Sequence, residues 1–180
     1  GSFAINENSA ADMGRANAGR VTQIDDASAA FGNPALMTQF TDFTLTSVAS
    51  YISGETLLVD EGSVDLLGNP LGPQPSDAFD DTPVPALHAI YPLSDKLALG
   101  LSVNATYGLS STYSDTSLVR YQALGSALTT INANPSIGIA LNDQLSIGGG
   151  VTVQYAHAEL SSAIDFGAVC FAGLGPMTCG

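Results

Sequence analysis

The stretch that decides the fold is KLALGLSVNATYGL, residues 96–109. Its odd positions are mostly large and apolar, and its even positions after the lysine are small or uncharged: Ala98, Gly100, Ser102, Asn104, Thr106 and Gly108. A period of two predicts a β-strand with two unlike faces. A soluble sheet normally exposes charged side chains on its second face, and this strand has none there. The pattern predicts an inverted strand, with the apolar row against lipid and the small polar row facing an enclosed interior.

Two later segments repeat this asymmetry. In residues 121–141, Ile137 and Ile139 alternate with Ser136 and Gly138, and residues 144–160 follow the same rule. Pro135 is the residue of the first segment that disfavours a strand, because proline has no N–H to donate to a neighbouring strand.

The overall composition agrees with a membrane protein that crosses the bilayer with strands. Hydrophobic residues make up 45% of the chain and the mean hydropathy is +0.23, but no apolar run approaches the roughly 18 residues of a spanning helix. Charged residues are only 12%, about half of the usual share of roughly 25%. The chain therefore has little charge with which to cover a water-facing surface.

The charge that is present is strongly acidic. Four Lys and Arg residues stand against seventeen Asp and Glu, which gives a net charge of −13 and makes nucleic acid an improbable partner. Acidic residues and prolines concentrate in residues 54–84, which contain no Lys or Arg and are predicted to form a long solvated loop. This loop either promotes solubility or binds divalent cations that bridge to anionic lipid.

The chain offers little chemistry for catalysis or for metal binding. His88 and His157 are the only imidazoles, and no Gly-x-Ser-x-Gly motif is present, so no enzyme activity and no cofactor are expected. Cys170 and Cys179 lie in a Gly-rich tail, where they either form a disulfide in an oxidising compartment or are two unrelated thiols. No histidine is nearby, which disfavours zinc.

The chain divides into an N-terminal domain, residues 1–42, and a β domain, residues 43–180. In the first, Ser9 and Asp12 have the form of a capping box, Gly14 ends that helix, and Asn33-Pro34-Ala35 starts another. In the second, five strands are predicted at 43–53, 85–92, 96–109, 121–141 and 144–160. The long loops between and after them are 54–84, 110–120 and 161–180.

Short turns alternate with long loops along the β domain, which is the layout of an outer-membrane antiparallel β-barrel. Five strands cannot close such a barrel, for which about eight is the minimum. We therefore expect this all-β chain to be the first part of a longer transmembrane barrel, starting as a mature protein without its signal peptide.

Four short motifs follow one another near the N-terminus: Phe3, Ile5 and Glu7; Gly14-Arg15-Ala16 with Gly19; Asp25-Asp26-Ala27; and Asn33-Pro34-Ala35. In this order they resemble the start of the FadL-type outer-membrane transporters of long-chain fatty acids and aromatic hydrocarbons. Residues 86–116 are similar to the second and third strands of that family, and residues 145–160 to its fifth.

The resemblance implies a barrel with an N-terminal plug, in the outer membrane of a Gram-negative bacterium. It implies passive uptake of long-chain fatty acids or hydrophobic hydrocarbons, with lateral release into the bilayer at a kink in the third strand. By position, Phe3 and Ile5 would contact the ligand and Asn33, Pro34 and Ala35 would hold the plug. Thr106, Tyr107 and Gly108 would form the kink. The expected partners are outer-membrane lipid and lipopolysaccharide, and the complete barrel would be a monomer.

A second interpretation comes from a different class of protein. A secreted, acidic β-sandwich that binds carbohydrate, or a surface partner through calcium at residues 54–84, would also be rich in strands. It predicts solubility without detergent, whereas the transporter predicts aggregation without detergent.

Overall fold

A computed structural model describes residues 4–56, 58–64, 68–73, 78–166 and 169–170, with the backbone alone at position 109. The chain divides into two compact units. The first unit contains residues 1–52, 82–108 and 129–157, and the second contains residues 53–81, 109–128 and 158–180. Phe3 and Cys179 lie outside the described residues.

Three short helices follow the N-terminus: α1 (Ala10–Gly14), α2 (Ala29–Gly32) and a 3-10 helix (Pro34–Gln39). The Asp12 N–H donates to Ser9 Oγ at 3.2 Å, which confirms Ser9 as the cap of α1. The Ala35 N–H donates to Asn33 Oδ1 at 3.2 Å, so a helix does begin at Pro34, but it is a 3-10 helix. Among the described residues, no helix is long and apolar enough to span a membrane.

In the described part of the β domain, seven strands pair in the order β1–β2–β3–β5–β4, with β6 and β7 also paired to β5. The β1–β2, β2–β3, β3–β5 and β5–β6 pairs are antiparallel. The bounds are β1 Thr44–Ile52, β2 Thr82–Ser94, β3 Leu97–Asn104, β4 Gly108–Thr112, β5 Gly125–Asn142, β6 Leu145–Gly150 and β7 Val153–Ser161.

Two of the five predicted strands are wrong as continuous elements. Residues 96–109 are interrupted between Asn104 and Gly108, and residues 144–160 are interrupted between Gly150 and Val153. The bounds of the loops change as well, because β2 begins at Thr82, within the predicted loop 54–84, and β4 extends to Thr112, within the predicted loop 110–120. Alternation continues through both interruptions, so the sequence pattern alone does not reveal them.

Pro135 lies inside β5 despite its missing N–H. It stands opposite Leu101 of β3, and its carbonyl accepts a hydrogen bond from the Val151 N–H at 3.1 Å. The strand therefore tolerates this proline because its one remaining backbone polar group is satisfied.

The two faces of the sheet differ as the sequence predicts. On β3, Leu99 and Leu101 are 41% and 47% exposed, whereas Ala98 and Ser102 are 1% and 0% exposed. The same holds on β5, where Ile137 is 41% exposed and Asn132 is 2% exposed. The inverted arrangement, with the apolar row outward and the small polar row inward, is confirmed.

The core of the first unit lies between the N-terminal helices and the inner face of β2 and β3. It is built from small side chains around one methionine and one isoleucine: Ala27, Ala29, Ala30, Met37, Ile90 and Ala98. Leu36 and Phe40 pack against this cluster. Small inward residues on the strands thus allow short helices to approach the sheet closely.

The second unit is organised by polar contacts of its loops. Asp80 Oδ2 accepts hydrogen bonds from Ser110 Oγ at 2.7 Å and from Thr112 Oγ1 at 2.8 Å. The Arg120 guanidinium donates to Ser117 O at 3.1 Å and lies over the Tyr121 ring, 4.3 Å from its centroid. The pairing of Cys170 with Cys179 in this unit stays a prediction.

Candidate functional site at a broken strand

The third strand of the sheet is broken at Ala105–Tyr107. Up to that point β3 and β5 form a regular antiparallel ladder, from Leu97 opposite Ile139 to Asn104 opposite Asn132. After three residues the chain resumes as β4, and Gly108 is the first residue of that strand. Thr106, Tyr107 and Gly108, the predicted kink residues, therefore lie at this break and at its far end.

Side chains of β5 satisfy the backbone at the break. The Tyr107 N–H donates to Thr130 Oγ1 at 2.9 Å, and the same hydroxyl donates to Tyr107 O at 2.6 Å. Asn132 Nδ2 donates to Thr106 Oγ1 at 3.1 Å. A threonine hydroxyl can donate one hydrogen bond while it accepts another, so a single side chain holds both polar groups of Tyr107.

The N-terminal segment enters the break from the inner side of the sheet. Ala4 forms an isolated antiparallel bridge with Tyr107, and the Ile5 N–H donates to Thr106 O at 2.8 Å. Ile5 is 6% exposed. The structure thus brings Ile5 together with Thr106 and Tyr107.

A buried polar network continues from this contact along the inner face. His88 Nε2 lies 2.9 Å from Asn8 O, and His88 Nδ1 lies 2.9 Å from Ser102 Oγ. A carbonyl can only accept, so Nε2 carries the hydrogen and Nδ1 accepts from the Ser102 hydroxyl. Asn104 Nδ2 donates to Asn8 Oδ1 at 2.9 Å. Sequence reasoning missed Asn8 because its partners are 80 and 96 positions away.

The 3-10 helix rests on a second part of the inner face, which we call the glycine seat: Gly100, Gly138 and Gly148. A Cβ placed on Gly148 would come 2.8 Å from Ala35 Cα and closer still to the neighbouring backbone. A Cβ on Gly138 would collide with the carbonyl oxygen of Pro34. The predicted residues Pro34 and Ala35 are therefore at the seat, and Asn33 caps the helix that occupies it.

Charged groups of the N-terminal segment hold it together. Burial would raise the pKa of the Asp26 carboxyl, but hydrogen bonds from Ser28 and Ser9 outweigh this and the pKa is lowered. Asp26 Oδ2 accepts from Ser9 Oγ at 2.7 Å, and Asp26 Oδ1 accepts from the Ser28 N–H at 2.8 Å. Arg15 bridges Asp12 and Asp25 at 3.2 Å and 2.5 Å.

In the described part of the chain, no three His, Cys, Asp or Glu residues are grouped so that they could hold a metal ion.

A sheet with an apolar outer face, a polar inner face and an N-terminal segment packed on that inner face is the architecture of an outer-membrane β-barrel protein. The match to a known family is more specific. The chain belongs to the outer membrane protein transport protein family (OMPP1/FadL/TodX), whose model matches residues 1–178. This membership places the chain in the outer membrane of a Gram-negative bacterium, and the secreted β-sandwich interpretation is wrong.

Individual relatives agree with the family assignment. The chain is 34% identical to the long-chain fatty acid transport protein of Escherichia coli O6:H1 over 161 residues, which are 88% of this chain and 34% of that protein. It is 29% identical to outer membrane protein P1 of Haemophilus influenzae, covering 88% of this chain and 37% of that protein. The chain thus spans about a third of the length of these relatives.

A solved structure shows the same fold. The crystal structure of a Pseudomonas aeruginosa FadL homologue superposes with a TM-score of 0.77 at 25% sequence identity, covering 98% of this chain and 43% of that one. The chain therefore forms part of a transmembrane β-barrel.

Proposed function

We propose that the chain is part of an outer-membrane transporter that takes up long-chain fatty acids or other hydrophobic molecules passively and releases them sideways into the bilayer at Ala105–Tyr107. The observation that carries the proposal is the break itself, which separates two strands of the barrel wall and is filled by Ala4 and Ile5. Backbone groups at such a gap must be satisfied within a membrane, and here the N-terminal segment and side chains of β5 satisfy them.

Lateral release needs no source of energy. A fatty acid gains about 0.8 kcal/mol for each CH₂ group that moves from water into an apolar environment. A ligand held inside the barrel therefore moves spontaneously into the surrounding acyl chains once the wall opens. The outward leucine and isoleucine rows beside the break, such as Leu101 and Ile131, would already be in contact with lipid.

The predicted site residues have separate roles in this proposal. Phe3 and Ile5 contact the ligand, and Thr106, Tyr107 and Gly108 form the exit. Asn33, Pro34 and Ala35 anchor the N-terminal plug, residues 1–42, on the glycine seat. The acidic loop between β1 and β2 would bind lipopolysaccharide through divalent cations, and the complete barrel would act as a monomer.

The exit can be tested by closing it with a disulfide. In the intact protein with Cys170→Ser and Cys179→Ser, the pair Ala4→Cys and Tyr107→Cys would join the two bridged residues. Oxidation should lower uptake of labelled oleate several-fold in cells that lack another transporter, and a reductant should restore it. The matched control is Leu45→Cys with Ala89→Cys, which are register partners on β1 and β2. Equal uptake by oxidised and reduced Ala4/Tyr107 protein would contradict release at this break.

A further inference from the structure

Two buried amide oxygens beside the break have no donor. Asn104 and Asn132 are each 2% exposed, and among the described residues neither Oδ1 atom has a hydrogen-bond partner. The two residues stand directly opposite each other on β3 and β5. Unpaired polar atoms are costly in a protein interior, and two facing ones call for an explanation.

The amino group of each amide already makes one hydrogen bond. Asn104 Nδ2 donates to Asn8 Oδ1 and Asn132 Nδ2 donates to Thr106 Oγ1. Each Nδ2 has a second N–H, but what the pair lacks, in the described part of the chain, is a donor for its two oxygens. An incoming group can pair with these oxygens only if it brings its own O–H or N–H.

Both amides are tied to the contacts that fill the break. Asn104 is bonded to Asn8 of the N-terminal segment, and Asn132 is bonded to Thr106, whose carbonyl accepts from the Ile5 N–H. Withdrawal of the N-terminal segment would therefore release Asn104 and uncover Asn132 in the same movement. The two acceptors would then face the opening.

We infer that Asn104 and Asn132 form a head-group subsite at the exit, which accepts a hydrogen bond from a neutral donor on the departing molecule, either a protonated carboxylic acid or an alcohol. This inference rests on the proposed function and adds the chemical form in which the head group passes. Asn8 and Thr106, the direct partners of the two amides, carry no charge. A carboxylate would lose its hydration here and leave both amide oxygens without a donor, so the site favours the neutral form.

The test uses the intact protein in cells that lack another transporter, with three probes of equal chain length: oleic acid, oleyl alcohol and methyl oleate. The ester has no donor. In Asn104→Leu with Asn132→Leu, uptake of the acid and the alcohol should fall roughly tenfold relative to the ester, which is the ratio that one hydrogen bond of ordinary strength provides. The amount of each variant in the outer membrane, together with its gel mobility without heating, shows whether it has folded.

Asn134→Leu is the matched control. Asn134 lies on the same face of β5, is 8% exposed, and donates to Thr152 Oγ1 at 2.8 Å, away from the break. It should leave the ratio between the probes unchanged. If the double variant does not assemble, the same comparison of probes is made with Asn132→Leu alone. This variant should fold, because the Thr106 hydroxyl that loses its bond to Asn132 can rotate towards another partner.

The outcomes are distinct. An equal fall in the uptake of all three probes would show a purely structural role and overturn the subsite. Unchanged uptake of every probe would overturn it as well. Reduced uptake of oleic acid with unchanged uptake of oleyl alcohol would overturn recognition of a neutral donor. If the wild-type protein carried none of the three probes, the proposed function would fail and the subsite with it.

Discussion

The N-terminal segment meets the strands in two places, and the two contacts differ in kind. At the glycine seat, backbone packs on backbone, and Gly148 leaves no room for even a methyl group. At the break, the contact depends on one bridge and on hydrogen bonds such as that from Ile5 to Thr106. A hydrogen bond can be exchanged for water or a ligand at a net cost of about 1 kcal/mol, whereas a close-packed contact cannot open gradually. One end of the segment is thus fixed and the other can move.

The largest expected effect comes from filling the glycine seat. Gly148→Val should lower the free energy of unfolding by about 3 kcal/mol, the upper end of what overpacking costs, because its Cβ would collide with the backbone of Pro34 and Ala35. Urea unfolding of the refolded protein in detergent measures this. Gly149→Val is the control, since a Cβ there has nothing within 4 Å. Similar losses for the two variants would mean that the seat is not a tight contact.

A smaller effect is expected at the break. Thr130→Val keeps the side-chain shape but removes the hydroxyl that bonds both polar groups of Tyr107, and it should cost about 1–2 kcal/mol. Hydrogen exchange at the Tyr107 amide should become faster in the same variant. Thr129→Val, at the exposed neighbouring position, should change neither quantity. An unchanged exchange rate in Thr130→Val would show that this hydroxyl does not hold the break.

The smallest effect concerns Asp26, which links the part of the segment near the break, through Ser9, to the part near the seat, through Ser28. Its folded pKa lies below the ordinary value of 3.8, so its contribution to stability is present above that value and is lost as pH falls through the folded pKa. The unfolding free energy of wild type should therefore fall more steeply below about pH 4 than that of Asp26→Asn. Parallel pH profiles for the two proteins would contradict this role.

Local patterns in the sequence predict much of this fold. Alternation at Leu99 and Leu101 identified the outward face, because side-chain direction in a strand follows position parity. The caps at Ser9 and Asn33 were also predictable, since each acts on a backbone N–H only two or three residues away. The resemblance placed the kink near Thr106, which the periodic pattern alone had made part of one strand.

The parts that could not be predicted depend on distant contacts. Nothing near Asn8 in the chain indicates that it bonds to Asn104, and nothing near Thr130 indicates that its hydroxyl replaces a strand partner at Tyr107. Gly148, Gly149 and Gly150 are identical in sequence, and only the position of the 3-10 helix decides that the first must remain a glycine. Tertiary context, not local propensity, determines these features.

Side chains alternate strictly between the inner and outer faces along β5, and this alternation limits how its gene can change in length. Insertion of one codon within this strand would rotate every later side chain to the opposite face, so Asn132 or Ser136 would meet acyl chains and isoleucines would point into the barrel. Insertion of two codons would preserve the faces and only lengthen the wall. We therefore expect natural variants of this strand to differ by even numbers of residues, or to absorb an odd one in a bulge.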